Sequence, residues 1–99
     1  MSNQTANYEA TMIFSLTSGE DAVNALLEKF KNMIEQNTTI GKVENWGKRK
    51  LAYAINDELE GYYLYVEFSS NPQFPAELDR VLKITDGVMR SLIVRKEAV

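Results

Sequence analysis

Lys48, Arg49 and Lys50 are three consecutive cations that follow Trp46-Gly47 and run directly into the apolar, strand-like segment Leu51-Ala52-Tyr53-Ala54-Ile55. Cations at that density do electrostatic chemistry. They meet phosphate or carboxylate oxygens, and arginine can do so through two parallel N–H donors. The chain as a whole is acidic, with 11 Lys and Arg against 14 Asp and Glu and a formal net charge of −3. An anion bound here must therefore be met by a local patch, because there is no general positive field. The competing use of the same residues is a solvated edge strand, since lysine on an edge guards against unwanted pairing. Arg90, Arg95 and Lys96 form a second basic group further along the chain.

Bond-making chemistry lacks its usual agents. The sequence has no histidine and no cysteine, which removes thiolate metal sites, disulfides and the commonest general base near neutral pH. Ser2, Ser15, Ser18, Ser69, Ser70 and Ser91 have no imidazole to activate them. Glu9 and Glu67 are expected to face each other on neighbouring strands, and Glu58 and Glu60 to lie in a turn, all four as solvated or salt-bridged surface. Neither G-x-G-x-x-G nor a phosphate-loop lysine motif occurs. The reading is a non-enzyme with no cofactor, no metal and no small-molecule substrate. No apolar run approaches the roughly 18 residues of a membrane span, and the polar start Met1 to Asn7 has no secretory character, so a cytoplasmic protein without membrane contact is expected.

The elements that must position the cations follow from hydrophobic spacing. Tyr8, Ala10, Met12, Phe14 and Leu16 alternate with Glu9, Thr11, Ile13 and Ser15, which predicts a half-buried first strand. Ser18 is the expected N-cap of a helix reaching about Gln36, with Val23, Leu26, Leu27, Phe30, Met33 and Ile34 as its apolar stripe. Lys42 to Ile55 reads as a long strand interrupted by a bulge at Gly47, with Leu51, Tyr53 and Ile55 holding it to the core. Asn56 to Gly61 reads as a hairpin turn. Tyr62, Leu64, Val66 and Phe68 then face inward on a third strand, and Tyr63, Tyr65 and Glu67 outward. A second helix opens around Pro72 or Pro75 with Phe74, Leu78, Val81 and Leu82 as its stripe, and Val88 to Arg95 forms the last strand.

The order βαββαβ predicts a single α+β domain of the ferredoxin-like split βαβ type: a four-stranded antiparallel sheet of order 4-1-3-2, both helices on one face, over residues 8–96. Residues 1–7 are expected to be flexible and 97–99 to form a short C-terminal end. Right-handed crossovers are taken to make strands one and three parallel neighbours at the centre. Strands two and four become edges, so their two basic groups could grip a polyanion crossing the open sheet face. Tyr63 and Tyr65 on that face could stack on bases. With Ile13, Leu92 and Val94 they could equally be buried by a partner protein. Trp46 is either a core filler beneath the long strand or an interface anchor.

Tyr8-Glu9, the segment Trp46-Gly47-Lys48-Arg49-Lys50-Leu51-Ala52-Tyr53-Ala54-Ile55, Gly61-Tyr62-Tyr63 and the closing run Leu82 to Val94 together resemble the family of the sixth protein of the bacterial small ribosomal subunit. The resemblance covers residues 8–96. It implies a ferredoxin-like fold, no enzymatic activity and a place on the cytoplasmic ribosome. It further implies binding to the central domain of the small-subunit ribosomal RNA, as a heterodimer with the eighteenth small-subunit protein. Arg49 matches the arginine of the family's second-strand motif and Arg90 that of its fourth-strand pattern, which makes these two the preferred RNA-facing cations. Lys48 and Lys50 rank lower because the family varies there, and Arg95 and Lys96 complete the candidate RNA-binding set. Tyr63, Tyr65, Trp46, Leu92 and Ile13 are the candidate partner-binding residues. Some members carry a longer acidic C-terminal tail, and functions tied to it are not carried over to this sequence. The alternative from a different class is a ferredoxin-like small-molecule regulatory or dimerisation module, with a ligand pocket at a homodimer interface and no RNA affinity.

Overall fold

Alternation along the first strand decides the inside of the molecule. Tyr8, Ala10, Met12 and Phe14 are all buried, and they pack with Leu64, Val66 and Phe68 into one cluster with the helical residues Val23, Leu27, Phe30, Ile34, Phe74, Leu78 and Leu82. Burying the larger of these side chains, such as Leu, Val, Ile, Met and Phe, stabilises by about 1.5–3 kcal/mol each. The computed structural model describes residues 5–55 and 58–96. Its elements are β1 (Ala6–Phe14), α1 (Glu20–Asn37), β2 (Thr39–Ile55), β3 (Glu58–Ser70), α2 (Phe74–Ile84) and β4 (Val88–Lys96). The sheet order is β2-β3-β1-β4, the expected 4-1-3-2 order taken from its other end. Because both helices bury their stripes in the same cluster, the opposite sheet face is left uncovered.

One topological expectation fails. β1 and β3 are neighbours but antiparallel, as are β1 with β4 and β2 with β3. Each helix crosses between strands that are not adjacent: β3 lies between β1 and β2, and β1 lies between β3 and β4. The parallel relation enforced by a crossover therefore holds one strand away, and the inserted strand runs against both.

Local differences have local causes. Gly19, not Ser18, is the N-cap of α1, with φ at 89°, a conformation that serine disfavours, and Glu20 and Asp21 occupy the first turn. Pro75 is the proline inside α2, while Asn71 Oδ1 accepts hydrogen bonds from the backbone N–H groups of Gln73 and Phe74 and so caps that helix. β1 starts at Ala6, so Ala6 and Asn7, expected to be flexible, pair with Ser70 and Ser69. The expected turn at Asn56–Gly61 is shorter than its sequence suggested. Glu58 to Glu60 already belong to β3, with Lys50 opposite Glu60 in an oppositely charged cross-strand pair. Asn56 and Asp57, residues 1–4 and residues 97–99 lie outside the described residues.

β1 pairs with β3 only from Ala6 opposite Ser70 to Phe14 opposite Tyr62, so Glu58–Gly61 have β2 alone as neighbour. This produces a two-stranded arm, and the molecule is elongated to 46 × 26 × 21 Å. Leu51, Tyr53 and Ile55 sit on that arm and not in the core: none joins the buried cluster, and Tyr53 is 64% exposed. Among the described residues no helix is long and apolar enough to cross a membrane.

Candidate nucleic-acid and partner interface

Cross-strand register arranges the uncovered face in rows. Residues opposite one another in an antiparallel sheet share a face. The row nearest the arm is Gly47, Tyr63, Ile13 and Arg90, with Trp46 beside Gly47 at the bulge. The next row is Glu44, Tyr65, Thr11 and Leu92, followed by Lys42, Glu67, Glu9 and Val94. All five candidate partner-binding residues therefore come together in the first two rows. They differ in what they offer. Leu92 is 60% exposed, Tyr63 and Tyr65 are half-buried, and Ile13 is only 8% exposed because Gly61 approaches it closely and Tyr63 and Arg90 flank it.

Trp46 is no core filler. Its ring stacks on Tyr65 with centroids 5.1 Å apart and planes at 9°, lies 6.3 Å from Tyr63, and carries the Arg49 guanidinium 5.0 Å from its centroid. The indole N–H donates to Glu44 Oε1 at 2.9 Å, and Glu44 is ion-paired with Lys42 at 3.1 Å. That indole hydrogen bond, with help from Lys42, holds the Glu44 carboxyl below the usual carboxylate range.

The six candidate cations separate by face. Arg49 lies opposite Gly61 on the open side, whereas Lys48 opposite Tyr62 and Lys50 opposite Glu60 lie on the helix side. Arg90 opposite Ile13 and Lys96 opposite Asn7 are on the open side, and Arg95 opposite Tyr8 is on the helix side. Lys96 already contacts Glu67 at 3.1 Å. Arg90 donates to the Tyr53 hydroxyl at 2.8 Å, a contact that joins the two edge strands. Among the described residues, Arg49 and Arg90 are thus the open-face cations without a carboxylate partner.

The carboxylates occupy the far rows. Glu9 and Glu67 face each other as expected, and the Tyr65 hydroxyl lies between them, 2.6 Å from Glu67 and 2.9 Å from Glu9. Its hydrogen bond to Glu67, then burial, then the bond to Glu9 push the Tyr65 phenol well above its ordinary value. In return the hydroxyl, and after it Lys96, holds Glu67 below the usual carboxylate range. This arrangement binds and orients. Among the described residues no three potential metal ligands converge. Sequence reasoning missed Glu44 and Lys42 as supports of Trp46, and Tyr53 as the partner of Arg90. The alternation of Lys42, Glu44 and Trp46 on one face was the available signal for the first two, and nothing local pointed to the third.

The family model of ribosomal protein S6 matches residues 7–95. The chain belongs to the ribosomal protein S6 family. Among S6 relatives, the small ribosomal subunit protein bS6 of Clostridium perfringens is 50% identical over 91 residues, covering 91% of this chain and 96% of that protein. The bS6 of Clostridium novyi is 48% identical, covering 92% and 97%. The fold agrees as well: a crystal structure of 30S ribosomal protein S6 from Thermotoga maritima superposes with a TM-score of 0.86 at 30% identity, covering 94% of this chain and 89% of that one. As a member of the S6 family the chain is a protein of the small ribosomal subunit, located on the cytoplasmic ribosome, and not an enzyme. Family membership replaces the reading as a small-molecule regulatory module.

Proposed function

We propose that the chain binds the central domain of the small-subunit ribosomal RNA as one half of a heterodimer with the eighteenth small-subunit protein. The observation that carries this reading is the uncovered sheet face, where an aromatic cluster of Trp46, Tyr63 and Tyr65 lies between two arginines without carboxylate partners. The partner protein covers the aromatic cluster and the exposed Leu92, with Ile13 contributing only its edge. Arg49 and Arg90 meet phosphates at the rim. Lys96 contributes less because Glu67 already holds it, and Lys48, Lys50 and Arg95, on the helix side, serve as secondary contacts. A net charge of −3 supports the division of labour, with a basic partner meeting most of the phosphates.

The test is titration of small-subunit ribosomal RNA with the chain alone and with the chain plus the eighteenth protein. Weak binding alone and tight binding together are expected. Equal affinity in the two titrations would exclude the heterodimer as the binding species.

A further inference from the structure

Trp46 and Arg49 are three residues apart, and on a regular strand that odd spacing would place them on opposite faces. They touch nonetheless, because β2 carries an extra residue. Its register steps from Asn45 opposite Leu64 to Gly47 opposite Tyr63, and Gly47 takes φ at 74°, where glycine is favoured. Before the bulge, Lys42 and Glu44 face the open side; after it, Gly47 and Arg49 do. Without that step Lys48 and Lys50 would face outward and Arg49 would turn toward the helices. The bulge thus decides which of three consecutive cations the open face presents.

The selected cation is then held. Tyr65 stacking and the Glu44 hydrogen bond fix the indole, and the guanidinium lies over the indole. The Arg49 side chain makes no hydrogen bond or ion pair among the described residues, so its N–H donors stay available while the indole holds the guanidinium.

We propose that Trp46, placed by the Gly47 bulge, is a positioning residue for Arg49: it orients the guanidinium to grip one phosphate of structured RNA through two parallel donors. This rests on the reading that Arg49 meets RNA, and the experiment separates the two. Affinity of the full chain for small-subunit ribosomal RNA is measured across a salt series for Arg49→Ala, Arg49→Lys, Trp46→Leu, Trp46→Phe and the Trp46→Leu/Arg49→Ala double variant. The eighteenth protein is held at a concentration that saturates every variant, so that a weakened partner contact at Trp46 does not enter. Arg49→Ala is expected to weaken binding by about tenfold. Trp46→Leu should approach that loss, Trp46→Phe should restore most of it, and the double variant should be no worse than Arg49→Ala. Arg49→Lys should lose affinity while keeping the wild-type salt slope, because it keeps the charge and loses the fork.

Additive losses in the double variant, or wild-type affinity for Arg49→Lys, would overturn the positioning role while leaving an Arg49 contact intact. No effect of Arg49→Ala would instead remove the contact itself. Arg49→Lys leaves Trp46 and the bulge in place, so it decides the matter even where Trp46→Leu folds poorly.

Discussion

The two faces of this sheet are built from the same four strands by different rules. On the helix side, Tyr8, Ala10, Met12, Phe14, Leu64, Val66 and Phe68 are specified by apolarity alone, and the helices remove them from water. On the open side, residues are specified in pairs and rows: Tyr65 between Glu9 and Glu67, Trp46 against Tyr65 and Glu44, Arg90 on Tyr53. The helix side should therefore govern stability, and the open side recognition.

The sharpest break of that contrast is Phe30→Ala, which empties a site at 0% exposure and should cost about 3–5 kcal/mol in chemical denaturation. A loss below 1 kcal/mol, on the order of a surface change, would show that the helix side is not the cohesive one. Gly61→Ala is the next largest. A Cβ at that position would lie 2.5 Å from Ile13 Cγ2, and overpacking of this kind should cost about 1–3 kcal/mol, read from the same denaturation curves. It is the exception on the open side, where the base of the arm packs against Ile13, and a neutral result would mean that Ile13 yields freely.

Tyr65→Phe should be smaller, about 0.5–1 kcal/mol, because its hydrogen bonds to Glu67 and Glu9 are only partly buried. Its pH dependence carries more information. Glu67 has a lowered folded-state pKa, so its stabilisation is present above the ordinary carboxylate value of 4.5 and fades as pH falls through the lower folded value. Tyr65 has a raised one, so its share persists up to 10.0 and fades as pH rises through the higher folded value. The gap between wild type and Tyr65→Phe should thus be widest between those limits and close at both ends, and a gap independent of pH would break the assignment. Arg95→Ala, on the helix side but solvent-exposed, should change stability by no more than about 0.5 kcal/mol and RNA affinity least among the six candidate cations.

The same contrast explains what was legible in the sequence. Apolar alternation and the three-four spacing of Val23, Leu27, Phe30 and Ile34 translate directly into burial, so element order, sheet order and nearly the whole core could be anticipated. Gly47 was recognisable as a bulge, yet its consequence was not drawn: it turns Arg49 to the open face, and a second register shift between Lys50 and Ile55 breaks the alternation again, leaving Tyr53 exposed on the arm. The length of the arm was hidden because Glu58-Leu59-Glu60 has turn-like composition and becomes strand only through pairing with β2. Tyr53 meets Arg90 across 37 residues of sequence, and no local pattern encodes such a contact. Ile13 had the right parity for the open face, but its burial depends on how closely Gly61 approaches.

The most direct measurement compares Arg49→Ala with the Lys48→Ala/Lys50→Ala pair in RNA binding by the heterodimer, as the slope of log affinity against log salt concentration. Losing Arg49 is expected to reduce that slope by about one phosphate contact and cost about 1–3 kcal/mol in affinity, while losing both lysines leaves the slope nearly unchanged. A slope unaffected by Arg49→Ala but reduced by the lysine pair would place the RNA on the helix side of β2 and contradict the open face as the binding surface.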